Sequence, residues 1–452
     1  MVDRSDTSRD NTTNYAHPQE TNLLNVHKAL SYDPEGRPVL RIDDTSLQHT
    51  SSDRAKVSDF EVVFFNTFQF DKEDDVWDES TTTGGSAAHD ADARQIVMTV
   101  DGTQAGAKVV RQTFSVQRYV PGRQLQTSYA CVFGAGVAGI RRRVGQFDER
   151  NGFFLEQIGD ELAFVIRNDA SGSVVETRTL QADWNQDPLD GTGTTGITLD
   201  MTKRQIVYFE MEWYGAGLCE LKFIIDDHAR SCHKSFHGNR QELPWMGTPF
   251  VPARFELENV SATSGTYTLQ QGSSSNILEG RTGKQGISAS VSSPITGTTL
   301  GSANSWYPVL SIRLQSGRLN GVVLPRYFQV ATIDNTNIFY RLVRNATLPA
   351  DVVAGQNGPQ PYLVVPDSGS TFTEYQTYIN PAAVAEGDQG TRLDTGFVIS
   401  GGGGTQIKLD NDVQFQLGRS SLGTVSDEFT LLVASSGSNK DAIASLTWIE
   451  QR

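Results

Sequence analysis

Residues 208–237 read YFEMEWYGAGLCELKFIIDDHARSCHKSFH, and the fold turns on whether this stretch is sheet or helix. In an extended chain alternate side chains share a face. Val207, Phe209, Met211 and Trp213 then form one apolar row, and Tyr208, Glu210 and Glu212 form the other. The next run repeats the pattern, with Cys219, Leu221, Phe223 and Ile225 on one side and Glu220 and Lys222 on the other. The two apolar rows share a face only if the connection is odd in length. That predicts three or five residues around Tyr214-Gly215-Ala216-Gly217, with a glycine supplying positive φ. Glu210 then lies across from Glu220 or Lys222, and the stretch is a hairpin with one buried face.

The same residues suggest two chemistries. Carboxylates at i and i+2 of a strand, such as Glu210 and Glu212, stand about 7 Å apart, within the range inverting glycosidases use. Laminarinase-type hydrolases show Glu-x-Asp-x-x-Glu, whereas this run is Glu210-x-Glu212-x-x-Gly215 and lacks the third carboxylate. A charged outer face is the preferred reading. His228, Cys232, His233 and His237 converge only on a helix, and no Cys-x-x-Cys pair accompanies them, so no metal ligands are assigned.

Upstream, Asp183, Asn185 and Asp187 place oxygen donors where a calcium loop starts, but Pro188 stands where that loop needs Gly and Thr194 where it needs Glu. A turn that satisfies its own backbone is preferred over a weak Ca²⁺ site. Aromatic rings beside polar loops suit sugars. Trp213 belongs to the apolar row, so the candidate ligand-binding set is Trp184 and Tyr214 with Asp187 and Asp190.

The chain has 452 residues, a net charge of -15, and 42 glycines to serve many tight turns. Its field repels polyanions, and the one basic run, Arg141-Arg142-Arg143, is too short to reverse that, so no nucleic-acid partner is expected. Cys131, Cys219 and Cys232 are odd in number and far apart, which speaks against a disulfide framework and for assembly in a reducing cytoplasm. No apolar run is long enough to span a bilayer, so membrane insertion is not expected either. Nucleophile-elbow and phosphate-loop motifs are absent, and no cofactor is implied.

Residues 1–56 are polar, with one short amphipathic cluster at residues 23–30, and read as an arm that gains order by docking. From residue 57 to 283 short runs rich in β-branched and aromatic residues alternate with turn signals, as in an antiparallel sandwich. Residues 284–305, rich in Gly, Ser and Thr, read as a linker, and 306–452 as a second β-sandwich domain.

Several longer stretches carry a resemblance: YVPGRQLQTSYACVFGAG (119–136), VGQFDERNGFFLEQIGDELAFVIR (144–167), DWNQDPLDGTGTTGITLDMTKRQIVYFEMEWYGAG (183–217) and TPFVPARFELEN (248–259), then VVLPRYFQVAT, NIFYRLVRNATL and ASLTWIE. Over roughly residues 57–452 the chain resembles uncharacterised virion proteins of tailed phages and large DNA viruses. The resemblance implies lectin-like or jelly-roll sandwiches and no catalytic residues. The expectation is a non-enzymatic minor capsid or decoration component, made in the host cytoplasm, that docks onto other virion proteins or copies of itself. The alternatives are a tail-fibre adhesin that binds host glycan, and a polysaccharide hydrolase using Glu210 and Glu212.

Overall fold

The computed structural model describes residues 30–32, 38–40, 59–280, 286–348, 363–364, 372–399, 405–409, 416–420 and 425–451. The chain divides into Met1–Val57 and Ser58–Arg452. In the first unit β1 (Leu30–Tyr32) pairs antiparallel with β2 (Pro38–Leu40). The amphipathic cluster expected at 23–30 lies, except for Leu30, outside the described residues.

The second unit is all antiparallel sheet, and among the described residues it holds no α-helix, only short 3-10 turns. Sheet I runs β12 (Val175–Leu180), β11 (Glu161–Asn168), β10 (Gly152–Ile158), β9 (Ile140–Phe147), β16 (Ala253–Asn259), β7 (Lys108–Thr113), β4 (Trp77–Thr81). Sheet II runs β15 (His228–Ser235), β14 (Cys219–Ile225), β13 (Gln205–Met211), β8 (Leu125–Val132), β17 (Thr266–Glu279), β6 (Gln95–Asp101), β5 (Gly85–Asp90), with β3 (Phe60–Asn66) also on β17. Their facing sides share one core. Phe153 of sheet I meets Phe209 of sheet II at 5.3 Å, and Phe255 meets Tyr129 at 5.8 Å, both edge to face. Each such buried ring contributes roughly 1.5–3 kcal/mol. Cys131, Cys219 and Cys232 are free thiols on the inner side of sheet II.

A second sandwich follows. Sheet III holds β18 (Ile287–Ser292), β28 (Lys440–Gln451), β21 (Val322–Thr332) and β26 (Thr405–Lys408), with β19 (Thr298–Leu300) also on β28. Sheet IV runs β23 (Leu363–Val364), β24 (Thr373–Thr377), β20 (Tyr307–Leu314), β27 (Glu428–Ser435), β22 (Ile338–Arg344), β25 (Thr391–Val398). Phe328 and Tyr340 join the two sheets at 5.2 Å. The all-β expectation of two antiparallel sandwiches holds. The stretch expected as a linker, 284–305, instead supplies β18 and β19. β-Branched Thr, Val and Ile fit a pleated surface, and Val291 and Leu300 are buried in the second core.

The hairpin has the parity its sequence requires. Val207 faces Phe223, Phe209 faces Leu221, Met211 faces Cys219, and Glu210 stands opposite Glu220. The Glu212 amide donates to the Leu218 carbonyl at 3.0 Å, leaving residues 213–217 as a five-residue connection. Positive φ falls at Tyr214 (41°) and Gly215 (74°).

The two sandwiches are joined by residues 416–420. Leu417 donates to the Val323 carbonyl within the second sandwich, while Arg419 N donates to Phe114 O at 3.0 Å and Gln416 Nε2 to Val116 O at 3.2 Å in the first. Between them Gly418 passes so close that a Cβ would sit 2.2 Å from Phe114 O. The Arg419 guanidinium pairs with the buried Asp148 carboxylate, Arg344 lies 4.5 Å over the Phe114 ring, and Val116 packs with Val322 and Leu324.

Candidate functional site

The outer face of the hairpin is a closed network. Gln124 Nε2 donates to Glu210 Oε2 at 2.6 Å and Lys222 Nζ at 2.9 Å, while the Tyr208 hydroxyl donates to Glu210 Oε1 at 3.1 Å. Lys222 also reaches Glu220 Oε2 at 3.5 Å, and Ser231 donates to Glu220 Oε1 at 2.6 Å. Burial pushes the Tyr208 hydroxyl well up, which keeps it a donor. Glu210, Glu212 and Glu220 are all buried. A shared cation and fixed donors hold Glu210 and Glu220 as structure.

The Arg141-Arg142-Arg143 run is absorbed in the same way on sheet I. Arg141 pairs with Glu258 at 2.5 Å, Arg142 turns to Gln157 at 2.9 Å, and Arg143 lies 2.7 Å from Glu156 and 3.3 Å from Glu256. Burial alone would raise the Glu256 carboxyl, but Arg254, Lys108 and Arg143 overcome it and hold the group well below the usual carboxylate range.

Trp184, expected as an exposed stacking ring, is buried instead. Its indole stacks on Phe223 at 6.3 Å and donates to the Thr179 carbonyl, because the loop folds back against the end of sheet II. Asp187 is spent on its own loop, accepting from the amides of Leu189 at 2.9 Å and Thr195 at 2.8 Å. Asp190 accepts from Thr192 in the same manner. Tyr214 is exposed at the tip of the hairpin. The structure therefore builds no shared ring-and-carboxylate surface from these four.

The histidines are distributed by strand geometry. A register shift in β15 lets both Cys232 and His233 be buried, His228 is exposed, and His237 stacks on Trp245 at 4.7 Å with planes 5° apart. Burial, with Arg240 nearby, pushes the His237 imidazole down to about 4. Among the described residues no group of three His, Cys, Asp or Glu could hold a metal ion.

A concavity lies where the two sandwiches meet. A cleft of about 780 Å³ is lined from the first by Arg150, Asn151, Asp169 and Phe250 and from the second by Arg318, Asn320, Phe372, Arg419 and Gln451. One wall is rigid: Arg150 Nε reaches Asp169 Oδ2 at 2.6 Å, Asn151 Nδ2 donates to Asp169 Oδ1 at 2.8 Å, and the Gly247 amide donates to Asn151 Oδ1 at 2.7 Å. The opposite wall is unsaturated. Asn320 Oδ1, Gln451 Oε1 and Arg419 Nε are buried polar atoms with no hydrogen-bond partner among the described residues. Arg318 is exposed, lies 5.6 Å over the Phe372 ring, and has no carboxylate partner among the described residues. The sequence gives no motif for this site: its residues are scattered between positions 150 and 451, and only the docking of the sandwiches assembles them.

No family model and no curated protein matches the chain. Solved structures do. A glycosyl hydrolase family protein from Mycobacterium fortuitum is similar at 10% identity and TM-score 0.33, covering 48% of this chain and 99% of that one. The CBM2 module of the evolved Dit of Lactobacillus casei BL23 phage J-1 is similar at 8% identity and TM-score 0.31, covering 49% and 96%. A legume lectin-like domain from Entamoeba histolytica is similar at 9% identity and TM-score 0.29, covering 49% and 98%. Phage, lectin-like and hydrolase proteins thus stand side by side among the similar structures, and at these scores none lends this chain an activity. The expectation of a non-enzymatic chain is corrected by the hydrolases among them and is not carried forward. Among the described residues no helix is long and apolar enough to cross a membrane.

Proposed function

We propose that this chain is a virion-borne glycan-binding protein whose ligand lies in the cleft between the two sandwiches. The carrying observation is the cleft itself. Its volume of about 780 Å³ falls in the range of small-molecule sites, roughly 300–1,000 Å³. Its lining joins the rings of Phe250 and Phe372 to guanidinium and amide groups, the mixture that suits a sugar's apolar face and polar edge. The virion setting rests on the sequence resemblance over residues 57–452. A glycan array probed with the full chain tests the reading. Gly317 lines the cleft with open space where a Cβ would go, so Gly317→Trp should fill the mouth, keep the fold and abolish every hit. Absence of any bound glycan with the native chain overturns the proposal.

A second reading, docking onto other virion subunits or further copies of the chain as a minor capsid or decoration component, is favoured by β3. Phe60, Val62 and Phe65 are 53%, 56% and 70% exposed along a strand that, among the described residues, pairs only with β17. Exposed apolar rows on an edge strand are suited to partner contact. Particle incorporation measured for a Val62→Asp, Phe65→Asp variant, and separately for a deletion of residues 1–56, distinguishes edge from arm. Normal incorporation of both overturns docking through either.

A further inference from the structure

Resting on the cleft reading, we infer that the ligand is an acidic saccharide, a sugar bearing a carboxylate or sulfate, with Arg318 as the group that receives its charge. The unsaturated wall asks for two chemistries at once. Asn320 and Gln451 line the cleft, and their buried acceptors Oδ1 and Oε1 have no donor among the described residues; an unmet buried polar atom costs free energy until something meets it. A hydroxyl meets either end of an amide, since it both donates and accepts. A simple inorganic anion brings no such array of hydroxyls.

The second demand is charge. Three guanidinium groups line the cleft against one carboxylate, that of Asp169, in a chain whose net charge is -15. Two of the three are partly spent: Arg150 on Asp169, and Arg419 on Asp148. Arg318 has no carboxylate partner among the described residues, and its position over the Phe372 ring holds the planar group at the mouth beside an apolar platform. A planar guanidinium pairs with carboxylate or sulfate oxygens through parallel hydrogen bonds, which makes it selective for a charged substituent over a hydroxyl. A molecule that presents hydroxyls to Asn320 and Gln451 and an anionic group to Arg318 is an acidic sugar.

The test uses an array of paired glycans: sialylated, uronate-containing and sulfated oligosaccharides, each beside its desialylated, carboxyl-reduced or desulfated counterpart. Hits are then titrated by calorimetry. The native chain should bind an acidic member at least about tenfold more tightly than its neutral counterpart, and the difference should shrink as salt rises. Arg318→Ala, at an exposed position, should keep the melting temperature and lose roughly tenfold to a hundredfold in affinity for the acidic member. Its affinity for the neutral member should not change. Arg240→Ala, at an exposed guanidinium away from the cleft, should bind as the native chain does. Equal or better binding of neutral members, or an unchanged Arg318→Ala affinity, overturns the acidic ligand while leaving glycan binding in place. Absence of any bound member overturns both.

Discussion

The outer face of the hairpin and the cleft between the sandwiches are both polar and both charged, yet they are built in opposite ways. On the hairpin each carboxylate near Lys222 meets a cation, an amide or a hydroxyl of the same sheet. In the cleft Arg318, Asn320 and Gln451 are left, among the described residues, with unmet capacity. Residues that close their hydrogen bonds within one sheet serve the fold. Residues whose bonds stay open at a junction are available to a ligand.

That contrast can be broken by substitution, and the hairpin side should yield the largest effects. Trp184→Ala removes a buried ring from the end of sheet II and should cost about 3–5 kcal/mol in urea unfolding, where an exposed sugar-stacking ring would cost almost nothing. Lys222→Met takes the shared cation from between Glu210 and Glu220, both buried, and should cost about 3 kcal/mol by the same measurement. On the cleft side Gly418→Ala drives a Cβ onto Phe114 O, so the junction must shift at about 1–3 kcal/mol, with loss of the glycan affinity proposed for the cleft.

His237 gives a smaller, pH-dependent effect. Its folded value, about 4, lies below the unfolded 6.5, so the unfolded chain binds the proton first. Stability should therefore fall as pH drops from about 6.5 to about 4, then stop falling on this account. His237→Phe keeps the stack on Trp245 and should flatten that window when melting temperature is followed against pH. Smallest of all, Tyr214→Ala at the exposed hairpin tip should change stability by no more than about 0.5 kcal/mol.

The sheet was legible because its signal is local. The alternation Val207, Phe209, Met211 against Tyr208, Glu210 fixes which side chains face inward, and parity then narrows the loop to three or five residues and the partner of Glu210 to Glu220 or Lys222; the structure takes five residues and Glu220. What was misread depended on distant chain. Trp184 looks like a loop aromatic until the loop folds back on Phe223. Residues 284–305 look like a spacer until β28, some 150 positions later, offers an edge for β18 and β19. The cleft was invisible for the same reason: Arg150 and Arg318 sit in unremarkable turns, and neither sequence neighbourhood carries a motif that would unite them.

The three thiols on the inner side of sheet II have a practical consequence. Burial pushes Cys131 up to about 12 and raises Cys219 and Cys232 as well, so none is a reactive thiolate while the first sandwich is closed. The second sandwich contains no cysteine. A maleimide added to the native chain thus becomes a clock for one half of the molecule. If its labelling rate matches the rate of global unfolding, the junction makes both sandwiches open as a single cooperative body; if labelling runs ahead, the first half breathes alone.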